Sequence, residues 1–131
     1  MKIMVCYDGS KSSKKALQLS LEHAKCFKAD IVVVAILEGN SQEQLNHLDQ
    51  LEPLLADAKL LLSHDTAKVE TRLLSENNLS TGENLVAFAS EDNIKEIIIG
   101  IKKRSRVGKF FTGSTAQYVI LNAECPVTTV F

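Results

Sequence analysis

The chain is 131 residues long and carries 15 Lys and Arg against 16 Asp and Glu, a formal net charge of −1. Apolar residues make up 45% and charged residues 24%, ordinary values for a globular protein, and the length predicts a single domain over residues 1–131. Near-neutrality argues against partnership with a nucleic acid polymer or an acidic membrane, and no apolar run reaches the roughly 18 residues of a membrane span.

Ile3 to Tyr7 reads as a first strand, ended by the turn signal Asp8-Gly9-Ser10. From Ser12 onward, Ala16, Leu17, Ser20, Leu21 and Ala24 recur at helical spacing, with the serines as N-cap candidates. Ile31 to Ile36 is continuously apolar and β-branched, the pattern of a strand buried on both faces in a parallel sheet. Gly39-Asn40-Ser41 opens a helix of about six turns, and Leu45, Leu48, Leu51, Leu55, Ala58 and Leu62 form its expected core stripe. Val69 to Leu74 alternates and predicts a strand nearer an edge. Thr81 is read as the cap of a third helix with Glu83 in its first turn, and Ile97 to Ile99 is a fourth, continuously apolar strand. Ser114 opens a fourth helix, and Val127 to Phe131 follows Pro126 as the fifth strand.

Strand and helix therefore alternate throughout, which predicts a parallel sheet with helices on both faces. The pattern alone leaves the strand order open between 2-1-3-4-5 and other doubly wound arrangements. In each, ligands are expected beyond the C-terminal ends of the strands, at the loops after Tyr7, Ile36 and Ile99.

The loop after the fourth strand is the most informative. Residues 102–109 hold five basic residues and no acid, with glycines at 100, 108 and 113. Gly113-Ser114-Thr115 then starts a helix, whose free N–H groups and dipole favour an anion. Glycines, hydroxyls, positive charge and a helix N-terminus together point to phosphate binding. Other chemistry has little support. The serines after the first strand lack a nucleophile elbow, and Val107-Gly108-Lys109 is followed by Phe110, so no Walker lysine motif is present. His23, His47 and His64 show no metal-ligand spacing and are expected to be solvated. Cys6, Cys26 and Cys125 form no C-x-x-C pair and are expected to be structural, as small hydrophobes. The N-terminus lacks the apolar core of a signal peptide, so a cytoplasmic location is expected.

Gly100, Lys103, Gly113 and Ser114 match in spacing the G-x2-G-x9-G-(S/T) signature of the universal stress protein family. The opening Val5 to Ser10 with Ala16, and the closing Ala123-Glu124-Cys125-Pro126-Val127, resemble that family's first strand and final segment. The resemblance covers the whole chain. It implies a three-layer α/β sandwich around a five-stranded parallel sheet of order 3-2-1-4-5, in a homodimer paired through the last strand. It implies a stress-response regulator that binds ATP or a related adenine nucleotide, AMP or ADP, with Mg²⁺ only alongside the nucleotide. The implied site is Asp8 at the ribose, Ala35 backbone at the adenine, Ile99 and Gly100 closing the fourth strand, and Gly113, Ser114 and Thr115 at the phosphates. Lys103 stands where the signature has its second glycine. It either crowds the phosphates or pairs with them, with Gly108 nearby to ease the backbone. No general base is identifiable, so at most slow ATP hydrolysis is expected. The alternative is a nucleotide-independent dimeric module for protein partners; a phosphate-transfer receiver is disfavoured because Asp8 has no acidic companion beside it.

Overall fold

The computed structural model describes residues 1–63, 67–75, 78–102 and 113–131. The elements run β1 (Lys2–Cys6), α1 (Lys11–Phe27), β2 (Asp30–Leu37), α2 (Ser41–Leu62), β3 (Val69–Ser75), α3 (Thr81–Glu91), β4 (Glu96–Gly100), α4 (Ser114–Asn122) and β5 (Val127–Val130). The strands form one sheet of order β3-β2-β1-β4-β5, with every neighbouring pair parallel. This is the order the resemblance implies, and it resolves the choice left open by pattern alone. No helix among the described residues is long and apolar enough to cross a membrane.

Strand alternation sorts the core into two layers. Ile3 and Val5 of β1, with Tyr7 just beyond it, join Ile31, Val33 and Ala35 beneath α1 and α2. Met4 joins Val32, Val34 and Ile97 beneath α3 and α4, packed on Leu85, Ala89 and Val119. Side chains on both faces of β1, β2 and β4 are thus removed from water, each large one worth about 1.5–3 kcal/mol. That burial explains why those strands read as continuous apolar runs.

Three expectations are corrected. The α2 stripe is core only in its second half: Leu55, Ala58 and Leu62 are buried, whereas Leu45 is 63% exposed. The cap of α3 is Ser80 rather than Thr81. Its hydroxyl accepts from the Glu83 amide and the Glu83 carboxylate accepts from the Ser80 amide, a reciprocal box that Thr81 does not make. Cys26 is exposed on α1, not a core hydrophobe, while Cys6 and Cys125 are half-buried.

His23 also departs from its expected solvated state. Its Nδ1 donates to Glu96, 3.0 Å from both carboxylate oxygens, while the Thr128 hydroxyl donates to Glu96 Oε1 at 2.7 Å. One buried carboxylate thereby ties α1 to β4 and β5. Nearby, Lys2 meets Asp92 at 3.1 Å. His47 is exposed, and His64 lies outside the described residues.

Candidate functional site

The sheet's winding reverses between β1 and β4, because the chain leaves β1 toward β2 on one side and fills β4 and β5 on the other. At such a point the two flanking crossovers run apart and leave a crevice at the carboxyl ends of the strands. A cleft of about 240 Å³ opens there. Its floor is the ends of β1, β2 and β4, and its walls are the first turns of α1, α3 and α4 with Leu51 of α2.

Each polar group in the cleft has a local reason for its place. Gly9 adopts a φ of +82°, a left-handed turn that suits glycine and redirects the chain from β1 into α1. Ser10 caps α1, accepting from the Ser13 amide at 3.2 Å. The Ser10 amide in turn donates to Asp8 Oδ1 at 2.9 Å, orienting that carboxylate at the mouth. Burial tends to raise the Asp8 carboxyl, but hydrogen bonds from Ser10 and Ser13 and the charge of Lys102 outweigh it and hold it below 3.8. Asp8 is therefore an anion, an acceptor of hydrogen bonds only. Desolvation and Asp8 push the neighbouring Cys6 thiol up to about 12, so it stays neutral.

The cleft is polarised. Asp8 and Glu38 line it at the ends of β1 and β2; Lys102 lines it beyond β4, and Gly113 and Thr115 line it at the start of α4. Apolar Val34, Ile36 and Leu85 lie in the lining with them. Such a space suits an elongated ligand with a flat apolar body, hydrogen-bond donors toward the carboxylates and negative charge toward the lysine.

Asp8, Ala35, Ile99, Gly100, Gly113 and Thr115 all line this one cleft. Ser114 does not line it: it is exposed as the first residue of α4, after the cap position Gly113. Lys103 and Gly108 lie outside the described residues.

The two described glycines of the signature differ in what demands them. A Cβ on Gly100 would come within 2.5 Å of the Ser12 carbonyl carbon and 2.6 Å of the Ser13 nitrogen. That glycine is required by the seating of β4 against the backbone of α1. A Cβ on Gly113 meets nothing within 4 Å among the described residues, and its φ of −65° suits any residue.

Glu38 and Thr81 are among the lining residues that motif reading missed. The Thr81 hydroxyl donates to Glu38 Oε1 at 3.2 Å, joining the end of β2 to the start of α3 across 43 residues of sequence. Glu38 follows the strand ending near Ile36, one of the three loops expected to meet a ligand, so its position was signalled although its role was not.

The universal stress protein family model matches residues 1–130. A universal stress protein structure from Archaeoglobus fulgidus superposes with a TM-score of 0.88 at 30% identity, over 100% of this chain and 98% of its own. Another from that organism, solved in complex with dAMP, gives 0.83 at 26% identity over the same shares of both chains. A universal stress protein of Methanocaldococcus jannaschii is 26% identical over 98% of this chain and 81% of its own length. With its whole described sheet in the order the resemblance implies, and a family match from end to end, this chain belongs to the universal stress protein family.

Proposed function

We propose that the chain is a regulatory protein of one domain that binds ATP or a related adenine nucleotide in this cleft, in the cytoplasm, and acts through binding rather than catalysis. The observation that carries the reading is the gathering of Asp8, Ala35, Gly100, Lys102, Gly113 and Thr115 around one polarised crevice at the switch point. The dAMP complex of the Archaeoglobus fulgidus protein, of like fold and family, supports the ligand class. In this reading Asp8 accepts from the ribose hydroxyls and Ala35 offers backbone to the adenine edge. Ile99 and Gly100 bound the sugar, and Gly113, Ser114 and Thr115 receive the phosphates at the α4 N-terminus. Lys103 and Gly108 supply charge and backbone freedom beside them, and Mg²⁺ enters only with the phosphates, since it keeps most of its waters. Among the described residues the α4 N-terminus has no side-chain cap bond, whereas α1, α2 and α3 each have one, so its N–H groups suit an anion.

A homodimer through β5 belongs to the same proposal. β5 is an edge strand among the described residues, and Phe131, which follows it, is 52% exposed.

The test is thermal unfolding with ATP, ADP, AMP or dAMP. A ligand at 100 times its Kd adds about 2.7 kcal/mol, a rise in Tm of roughly 10 °C for a domain of this size. No shift with any of the four at millimolar concentration overturns the reading.

A further inference from the structure

We propose that Glu38 is a specificity-determining residue of the cleft, its carboxylate accepting a hydrogen bond from the exocyclic amine of a 6-aminopurine. The inference rests on the reading of the cleft as an adenine nucleotide site and adds a residue that no part of the family signature contains.

The register of the sheet places it. Cys6 pairs with Val34, and the Tyr7 amide donates to the Val34 carbonyl at 2.9 Å. Continued at ideal spacing, that register sets the backbone of Asp8 level with Ile36 and that of Glu38, just past β2, two residues farther out. Both residues line the cleft, Asp8 held by Ser10 and Ser13 at the start of α1 and Glu38 by Thr81 at the start of α3. The two lie about 7 Å apart along the strands and about 5 Å across them. That is the scale of a nucleoside from its sugar hydroxyls to its exocyclic amine. Val34, Ile36 and Leu85 line the same cleft and supply apolar surface for the ring.

The chemistry of Glu38 is one-sided. A carboxylate only accepts hydrogen bonds, through about four lone-pair sites, and the Thr81 hydroxyl occupies one of them on Oε1. Thr81 opens α3, so this contact holds the carboxylate against a rigid helix start rather than leaving it on a free rotor. Capacity remains for a donor from the ligand. An amine satisfies it; a ring C–H does not, and a carbonyl is repelled.

The experiment measures Kd by calorimetry for AMP and for purine riboside 5′-monophosphate, which lacks the amine and is otherwise the same molecule. The pair is measured on the full chain and on Glu38→Ala and Glu38→Gln. Wild type is expected to favour AMP by about fivefold, the yield of one partly solvated hydrogen bond. Glu38→Ala is expected to lower the ratio, leaving only what the Ala35 backbone at the adenine edge supplies, and Glu38→Gln, whose amide oxygen still accepts, to retain more of it. The ratio is the decisive quantity. A general effect of the lost charge on the phosphates, or of a loosened α3, moves both ligands together and leaves the ratio unchanged. A wild-type ratio of one, or a ratio undiminished in Glu38→Ala, overturns the proposal while the nucleotide reading stands. Failure of both ligands to bind wild type overturns the two together. Because Glu38 is exposed, both variants are expected to fold, and an unchanged circular dichroism melt checks it.

Discussion

The two ends of the sheet treat charge in opposite ways. At the N-terminal end Glu96, 7% exposed, is closed off by His23 at 3.0 Å and Thr128 at 2.7 Å, and Lys2 closes on Asp92. At the C-terminal end Asp8, Glu38 and Lys102 line an open crevice rather than one another. Buried charge held by protein partners ties elements together; charge facing a space of about 240 Å³ keeps its capacity for a ligand. The same sheet thus separates stability from recognition along its strands, and each end is tested by damaging it alone.

The largest effect is expected at the open end, where β4 is seated on the start of α1. Gly100→Ala forces a methyl against the backbone of Ser12 and Ser13, which cannot rotate aside as a side chain does. Destabilisation of about 3 kcal/mol is expected, with Tm lower by roughly 10 °C. Because α1 must shift, nucleotide affinity is expected to fall as well. An unchanged melt shows that β4 and α1 are not seated on each other as described.

His23→Ala attacks the closed end. It leaves the buried Glu96 carboxylate with the Thr128 hydroxyl and removes the edge contact of the imidazole on Phe27, 5.7 Å between centroids. A loss of about 2 kcal/mol in urea unfolding is expected, with nucleotide Kd unchanged within twofold. A large change in Kd breaks the division between the ends.

What was legible in the sequence follows the same division between local and distant causes. Ile31 to Ile36 and Ile97 to Ile99 announce central strands because burial on both faces leaves no polar alternation to see. The α2 stripe was over-read because periodicity reveals a face but not whether anything covers it, and none of residues 41–50 is buried. Ser80 and Thr81 are both cap-forming types. The choice turns on Glu83, which stands three residues after Ser80 and so closes the box on it. Asp8 and Gly100 were named because they stand, at a turn and a glycine, in segments that match the family's motifs. Glu38 with Thr81, and His23 with Glu96, were not, since they meet across 43 and 73 residues only after the strand order is known.

A smaller effect is expected from Asp8→Asn. Hydrogen bonds from Ser10 and Ser13 and the charge of Lys102, acting against burial, hold the Asp8 carboxyl below 3.8, so folding favours its charged form. That contribution is present above the unfolded value and is lost as pH falls through the lower folded one. For a carboxylate this exposed it is less than about 1 kcal/mol. Wild type is expected to be slightly more stable than the variant at pH 7, with the gap closing in acid, as followed by urea titrations across pH. Nucleotide affinity at pH 7 is expected to drop about tenfold, from the loss of a charge-assisted acceptor.

The smallest change in stability, and the sharpest for the open end, is expected from Gly113→Ser. Gly113 has φ −65° and ψ 162°, close to the −69° and 163° of Ser10 and the −67° and 165° of Ser80, both of which cap their helices with a hydroxyl. A serine there fits the backbone, meets nothing within 4 Å among the described residues, and is positioned to accept from the first amides of α4. Stability is expected to rise by about a few tenths of a kcal/mol. Those amides are then occupied, so a nucleotide whose phosphates rest on them is expected to bind at least fivefold more weakly, by the loss of about one hydrogen bond. A nucleoside without phosphate is expected to bind as before. Stability and affinity then move in opposite directions in one variant, as a donor set left uncapped for a ligand requires. Equal affinity for the nucleotide in both proteins removes the α4 N-terminus from the site while leaving Asp8 and Glu38 in it.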